Sequence, residues 1–375
     1  MTQNAEGNTI TLKVYYCFQM KNLYKLLLVC SFILGLITLS ILIFGNNRGD
    51  IGPYIIASLV CFAIGGMNNS KLKQTTFISW TLTVVALGMY YPQYFQKVGD
   101  FKLNTLVVPL LQIIMFSMGT EMSLKDFEGV VKTPKAVIIG LVSHFTIMPM
   151  VGVIIAKSFG FPPEIAAGFI LVGCVPSGVT SNVMAFIAKA NLPLSITIAT
   201  VSTLIAPLMT PLLMKILAGQ LIEIDLMKMV LHVLEIIIVP VILGLVVNKL
   251  IRNGVSWLQS IMPTLSMLGM LLIVLLIVSS GRDNLLNTGP LLFLACMIHH
   301  TTGYLFGYWS GRLTGLDEAT CRTISLEVGT QNSTLASVLA LQMGKVATVG
   351  LAAVISIPWI TIEGTSLANW WRNKE

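Results

Sequence analysis

The stretch Leu326–Thr334, "LEVGTQNST", interrupts one of the most apolar parts of this 375-residue chain. It places a carboxylate, two amides and a glycine where a membrane-spanning helix would carry hydrocarbon. Serine, threonine and glycine in membrane helices mostly serve close packing between helices. Glu327 differs, because a carboxylate near mid-membrane costs at least about 2.5 kcal/mol even on mild insertion scales. With Gln331 and Asn332 about one turn away, Glu327 indicates an ion or substrate site.

The composition indicates a membrane environment for this stretch. Hydrophobic residues make up 55% of the chain and charged residues 10%, against roughly 25% charged residues in soluble domains. The basic residues occur singly or in pairs, so no nucleic-acid partner is expected. The six cysteines show no spacing typical of a zinc site or a disulfide framework, and no cofactor is expected. We therefore predict a polytopic, all-α membrane protein.

Twelve apolar runs approach the length of about 20 residues that a bilayer-crossing helix needs. They are 24–44, 51–67, 76–91, 102–120, 135–158, 164–189, 192–217, 227–250, 262–280, 288–311, 320–343 and 347–371. With the N-terminus inside, fifteen lysines and arginines fall on the inner side and eight on the outer side, together the 23 of the chain. This bias follows the positive-inside rule, so both termini are predicted to be cytoplasmic.

Two of the twelve runs are interrupted at matching positions. The sixth contains "GCVPSGVTSN", Gly173–Asn182, in which Pro176 and Gly178 break the helix at mid-membrane. The eleventh contains the stretch around Glu327. When the first two runs are set aside, both interrupted runs are fourth in a set of five. An odd number of spans inverts the second set, so the sequence predicts an inverted repeat, and paired broken helices point to a transporter's binding site.

The predicted organisation follows from this count. Residues 1–75 form an N-terminal extension with two transmembrane helices. Residues 76–220 and 221–375 form the first and the second five-helix repeat.

Around both interruptions the sequence resembles the bile acid:sodium symporter family, in its bacterial branch. The resemblance extends over about residues 76–372. The stretches that carry it are "MFSMGTEMSLKDF" (115–127), "PKAVIIGLVSHFTIMP" (134–149), "AAGFILVGCVPSGVTSNVMAFIAKANLPLSITIATVSTLIAPLMTP" (166–211), "VPVILGLVVNK" (239–249) and "ISLEVGTQNSTLA" (324–336).

The resemblance implies a non-enzymatic symporter that moves a small organic anion by alternating access. It implies a core and a panel domain, with two broken helices that cross in the core beside two sodium sites. Sodium ions would be the coupling ions. The expected surroundings are the lipid bilayer of a bacterial inner membrane, without a known protein partner.

The resemblance also implies site residues. The first sodium site would use Ser181, Asn182, Ser195 and Glu327. The second would use Glu327, Gln331 and the backbone carbonyls of Val328 and Thr330. The substrate would contact Val179, Thr180, Asn332 and Thr361, with Glu363 as a further candidate where the family has a small polar residue.

Two positions depart from the family pattern. His144 stands where the second site takes a glutamine, and Ala199 stands where the first site takes a threonine. Alanine supplies no ligand, and imidazole nitrogen suits transition metals better than sodium. One hypothesis is that sodium coupling is weakened, reduced to one ion or partly replaced by protons. The alternative is that His144 only packs and hydrogen-bonds while water completes each site. An intramembrane enzyme and a passive channel remain as alternatives; trans-stimulated counterflow distinguishes a carrier from a channel.

Overall fold

The computed structural model describes residues 2–44, 51–69, 72–123, 132–250 and 256–374. The protein is nearly all helical, and the chain divides into two compact units, Met1–Tyr91 and Pro92–Glu375. Among the described residues, seven helices are long and apolar enough to cross a membrane. The protein is therefore an integral membrane protein, while the count of twelve spans and the domain boundaries stay predictions.

The first unit consists of helices that contact one another through small polar side chains. They are α1 (Thr2–Phe44), α2 (Gly52–Gly66) and α3 (Lys73–Tyr90). The Ser58 hydroxyl donates to the Ser31 carbonyl at 2.8 Å, and the Ser79 hydroxyl donates to the Leu59 carbonyl at 2.8 Å. Such hydrogen bonds between apolar helices satisfy polar groups for which the lipid tails offer no partner.

The second unit begins with a one-turn helix and a short hairpin and continues as helices. The elements are α4 (Gln93–Gln96), β1 (Lys97–Val98), β2 (Phe101–Lys102), α5 (Val107–Glu121), α6 (Pro134–Ser158), α7 (Pro163–Cys174), α8 (Thr180–Ile187), α9 (Leu192–Ala218), α10 (Leu226–Leu250, with a π-helical turn at Leu234–Ile238), α11 (Ser256–Leu313), α12 (Glu318–Gly329), α13 (Ser333–Gln342) and α14 (Gly350–Arg372). The two strands are antiparallel.

Helix α11 differs from the sequence prediction. It is continuous over 58 residues, where two separate spans, 262–280 and 288–311, were expected. Gly281 lies in the predicted break, and a Cβ there would collide with the Leu351 side chain. The glycine therefore serves close packing against α14 and does not end the helix.

Both predicted interruptions are present. The first separates α7 from α8, and the second separates α12 from α13. Val175 has ψ 159°, as expected for a residue before proline, which sterics keep out of the helical region. The second interruption contains no proline, and its backbone bonds instead to the first interruption.

Candidate functional site

The two interruptions are joined by backbone hydrogen bonds. The Gly178 N–H donates to the Thr330 carbonyl at 3.0 Å, and the Asn332 N–H donates to the Pro176 carbonyl at 2.9 Å. Non-helical backbone at membrane depth must satisfy its polar groups inside the protein. The two segments do this for each other, and we call this meeting point, residues 175–179 and 329–332, the crossing.

The crossing requires a residue without a side chain at position 178. Ser177 and Gln331 form an antiparallel bridge. A Cβ on Gly178 would stand 2.9 Å from the Gln331 carbonyl oxygen and 3.3 Å from the Thr330 methyl group. Only glycine allows the two backbones to come this close.

Four helix ends meet at the crossing. Helices α7 and α12 end there, and α8 and α13 begin there. The Asn332 side chain caps α13 by accepting from the Leu335 N–H at 3.1 Å. Val179 and Thr180, at the start of α8, are partly exposed, whereas Asn332 is buried. Helix N-termini carry partial positive charge and C-termini partial negative charge, so the crossing offers places for both an anion and a cation.

The buried carboxylate of Glu327 lies in a cluster of oxygen atoms. The Ser195 hydroxyl donates to Glu327 Oε1 and also lies 2.9 Å from Asn182 Oδ1. One hydroxyl hydrogen cannot serve both acceptors at once. Glu327 Oε2 has no hydrogen-bond partner by distance and angle among the described residues, although the Ser177 and Ser181 hydroxyls lie close to the carboxylate.

This cluster fits a sodium ion. It brings together all four side chains of the predicted first site: Ser181, Asn182, Ser195 and Glu327. A buried polar atom without a partner needs an unseen ion, water or proton, and hard cations prefer oxygen ligands. Ala199, also buried on α9, adds no side-chain oxygen.

At the predicted second site, side-chain nitrogen atoms contact backbone carbonyl oxygens. His144 is fully buried on α6, with Nδ1 3.0 Å from the Glu327 carbonyl oxygen and Nε2 2.9 Å from the Val175 carbonyl oxygen. The Gln331 amide donates to the Val328 carbonyl at 2.7 Å. A neutral imidazole can donate to one of its two carbonyls and an imidazolium to both. His144 brings nitrogen atoms to a place where an oxygen ligand was expected, whereas the Gln331 side-chain oxygen is buried without a hydrogen-bond partner among the described residues.

Helix α11 adds residues that the sequence did not place at the site. His300 Nδ1 lies 3.0 Å from the Gly329 carbonyl oxygen, and the Tyr304 hydroxyl lies 3.2 Å from Thr330 Oγ1. The neighbouring His299 is also fully buried, with Nε2 3.0 Å from the Met148 carbonyl oxygen.

The two candidate substrate residues on α14 have partners away from the crossing. The Thr361 hydroxyl donates to the Ile357 carbonyl at 2.9 Å, within its own helix. Glu363 is partly exposed and accepts from the Thr301 hydroxyl at 2.5 Å. Within the described residues, neither side chain is hydrogen bonded to the crossing.

Comparison with known proteins identifies the family. The sequence profile of the Sodium Bile acid symporter family matches residues 108–288. The chain is 36% identical over 305 residues to the "Uncharacterized sodium-dependent transporter YocS" of Bacillus subtilis (strain 168), covering 81% of this chain and 93% of that protein. It is 35% identical over 299 residues to the "Probable sodium/metabolite cotransporter BASS1, chloroplastic" of Arabidopsis thaliana, covering 80% of this chain and 73% of that protein. The chain therefore belongs to the sodium bile acid symporter family, as the sequence around its two interrupted helices indicates.

Proposed function

We propose that this protein is a secondary active transporter that carries a small organic anion together with sodium by alternating access. The observation that carries the proposal is the buried Glu327 carboxylate, which lies in an oxygen cluster beside two crossed, interrupted helices. The names of the relatives, a sodium-dependent transporter and a sodium/metabolite cotransporter, support the same function.

The coupling ion binds at the first site. Ser181, Asn182 and Ser195 supply neutral oxygens, and Glu327 supplies the negative charge. A bound sodium ion would compensate that charge, which is costly to leave uncompensated away from water. The C-terminal end of α12 adds partial negative charge.

The substrate binds where α8 and α13 begin. Val179, Thr180 and Asn332 lie at these two helix N-termini, whose partial positive charge favours a carboxylate or sulfonate. Thr361 and Glu363 on α14 complete the proposed substrate site. Ser181 and Asn182 follow Thr180 directly in α8, so sodium binding orders the helix end that meets the anion. This shared helix end provides a coupling free energy between the two ligands.

The proposal also covers the arrangement of the helices and the position of the protein in the membrane. Two inverted five-helix repeats form a core and a panel that move against each other, and two further helices precede them. The protein lies in a bacterial inner membrane with both termini in the cytoplasm. Sodium is the only ion or cofactor required, and the lipid bilayer and the small anion are the partners.

A proton-coupled carrier, or one that uses fewer sodium ions than its family, is the second candidate. The observation that favours it is His144, which lies between two backbone carbonyls where an oxygen ligand was expected.

Transport by purified protein in proteoliposomes tests the proposal. A thermal-shift screen of carboxylates and sulfonates, with and without sodium, selects the substrate. An inward sodium gradient should then drive accumulation of that compound, and unlabelled compound inside should accelerate entry of labelled compound. Accumulation driven by a proton gradient and indifferent to sodium would favour the second candidate. Entry without trans-stimulation would indicate a channel.

A further inference from the structure

We propose that Thr323 is a positioning residue for the sodium site, because its hydroxyl holds the start of α9 against α12 and so sets the separation of Ser195 and Glu327. The inference rests on the proposed function and names a residue that acts on the first site without contacting the ion. Thr323 is fully buried on α12, and it lies outside the set of ligands predicted from the sequence.

The Thr323 hydroxyl is bonded to the backbone of Asn191, the residue that directly precedes α9. Its oxygen accepts from the Asn191 N–H at 2.9 Å and lies 3.2 Å from the Asn191 carbonyl oxygen. The hydroxyl hydrogen can donate to that carbonyl or to the Ala319 carbonyl, which lies 3.0 Å away within α12. In both cases the hydroxyl oxygen still accepts the Asn191 N–H. Thr323 therefore ties the start of α9 to α12.

Asn191 is in turn bonded to the first turn of α9. Its side chain accepts from the Leu194 N–H at 3.2 Å, and its carbonyl accepts from the Ser195 N–H at 3.0 Å. A cap of this kind satisfies backbone donors of the first turn and stabilises the helix start. A displacement of Asn191 relative to α12 would therefore carry Ser195 with it.

The contacts between α9 and α12 repeat after one helical turn. Thr323 and Glu327 are four residues apart on α12, and Asn191 and Ser195 are four residues apart at the start of α9. Residues at this spacing are neighbours on one face of a helix. Thr323 contacts Asn191, and one turn further on Glu327 accepts from the Ser195 hydroxyl. The first pair therefore sets how the two helices face each other at the second pair.

Arg322 holds the other end of the turn that joins α8 to α9. It is buried, pairs with Glu318 at 3.0 Å and donates to the Ala188 carbonyl at 3.3 Å. Ala188 directly follows α8, and a cationic side chain is favoured at such a helix C-terminus. Because α8 carries Ser181 and Asn182, α12 contacts both helices that supply neutral oxygens to the first site.

Positioning matters here because the oxygens of the first site come from three different helices. Ligand atoms must be held within about 0.5 Å of the productive geometry. Without the Thr323 hydroxyl, Ser195 would lose its fixed position against Glu327, and the sodium affinity would fall although every ligand is still present. Residues that orient metal ligands typically change the affinity by roughly 10–100-fold when they are replaced.

Equilibrium binding of radioactive sodium to the purified, detergent-solubilised protein tests the inference. Thr323→Val removes the hydroxyl at nearly constant volume. The Asn191 N–H keeps a longer bond to the Ala319 carbonyl at 3.4 Å, so we expect the variant to fold. We expect roughly tenfold weaker sodium affinity in Thr323→Val, and affinity within about twofold of wild type in Thr323→Ser, which keeps the hydroxyl.

The matched control is Ser325→Ala. Ser325 is equally buried on α12, but its hydroxyl donates to the Tyr304 carbonyl on α11 at 2.6 Å. Its loss should lower the thermal unfolding midpoint in sodium-free buffer and leave the sodium affinity unchanged. This control separates a general loss of helix packing from the loss of a contact that positions Ser195.

A combined variant shows whether Thr323 acts through Ser195. Residues that act through each other show non-additive effects, whereas independent residues add. Ser195→Ala removes the ligand that Thr323 positions, so adding Thr323→Val to it should weaken sodium affinity by less than about twofold. An equal loss from Thr323→Val in both backgrounds would overturn the positioning role.

The remaining outcomes separate this inference from the proposed function. No saturable sodium binding by wild type would overturn sodium symport and the positioning role with it. Saturable wild-type binding with equal affinity in Thr323→Val, or with the same loss in Ser325→Ala, would overturn the positioning role alone. If Thr323→Val fails to fold, Thr323→Ala lacks the hydroxyl without the methyl group that valine adds, and its comparison with Ser325→Ala decides.

Discussion

The backbone N–H of Gly178 donates to the carbonyl oxygen of Thr330 at 3.0 Å, although 152 residues separate the two in the chain. This bond joins the first interrupted helix to the second. It places Glu327, three residues before Thr330, against the start of α8. The oxygen cluster at Glu327 therefore depends on the closeness of the two backbones.

Replacing Gly178 with alanine should disrupt the crossing. The added Cβ would stand 2.9 Å from the Gln331 carbonyl oxygen, and overpacking of this kind typically costs about 1–3 kcal/mol. We expect a lower thermal unfolding midpoint and loss of most sodium binding. Gly289→Ala is the control, since no atom lies within 4 Å of a Cβ there. A Gly178→Ala protein as stable as Gly289→Ala would contradict the geometry of the crossing.

Removing the Ser195 hydroxyl should weaken sodium binding. Its oxygen lies between Glu327 Oε1 and Asn182 Oδ1, so Ser195→Ala deletes one proposed ligand from the cluster. We expect roughly tenfold weaker affinity, about 1.4 kcal/mol, in a sodium titration of the thermal unfolding midpoint. Thr203→Ala is the matched control on α9, because the Thr203 hydroxyl donates to the Ala199 carbonyl within its own helix. Equal sodium affinity in Ser195→Ala and Thr203→Ala would remove Ser195 from the site.

Asp317 caps the N-terminus of α12 and lies outside the predicted apolar run 320–343, so this cap can be tested by substitution. Asp317 accepts from the Thr320 N–H at 3.0 Å and from the Thr320 hydroxyl at 2.6 Å. Asp317→Ala should cost about 1 kcal/mol of stability, whereas Asp317→Asn retains a cap and should cost less. The unfolding midpoints of the three proteins at pH 7 check this order. An alanine variant as stable as wild type would show that the cap contributes nothing.

The same cap predicts a pH dependence. The hydrogen bonds from Thr320 hold the pKa of Asp317 below its ordinary value. A lowered folded-state pKa gives stability that is present above the unfolded-state pKa and lost as the pH falls through the lower folded-state value. The difference in midpoint between wild type and Asp317→Ala should therefore shrink on acidification below the ordinary pKa of aspartate. A difference in midpoint that grew on acidification would contradict a lowered pKa of Asp317 in the folded state.

Neutralising Glu363 should strengthen binding of an anionic substrate. A carboxylate near the proposed site repels an anion, so Glu363→Gln should lower the KM for the carboxylate or sulfonate selected by the screen, by roughly two- to fivefold. Thr301→Val removes the hydroxyl that donates to Glu363 and keeps the charge, so it should not lower the KM. A KM that rises in Glu363→Gln would instead indicate that the substrate carries a cationic group.

The two interruptions could be predicted from the sequence because each has a local cause. Pro176 removes a backbone donor, and the polar residues around Gly329 have no place in a lipid-facing helix. Glu327 could be singled out for a similar reason, because a carboxylate is costly to place in hydrocarbon. These are properties of single residues or short stretches. The other residues of the first site came from the family resemblance, and their role stays a prediction.

Other features depend on packing that no local pattern reveals. Gly281 weakens a helix by its intrinsic propensity, yet α11 continues through it at a place where a Cβ would collide with the Leu351 side chain. His144 could be recognised as a departure from the family pattern, but its two carbonyl partners lie 31 and 183 residues away. His300 and Tyr304 also contact the crossing through residues far away in the sequence, Gly329 and Thr330. Long-range contacts of this kind appear only when the chain is folded.

Sodium binding by Glu327→Gln tests the central claim most directly. The claim is that the Glu327 carboxylate at the crossing holds the coupling ion. Purified wild type and Glu327→Gln would be compared by equilibrium binding of radioactive sodium, with Glu318→Gln as the control on the same helix, where Glu318 pairs with Arg322 at 3.0 Å. The account predicts saturable binding by wild type and Glu318→Gln and its loss in Glu327→Gln. Wild-type sodium affinity in a folded Glu327→Gln protein would contradict it.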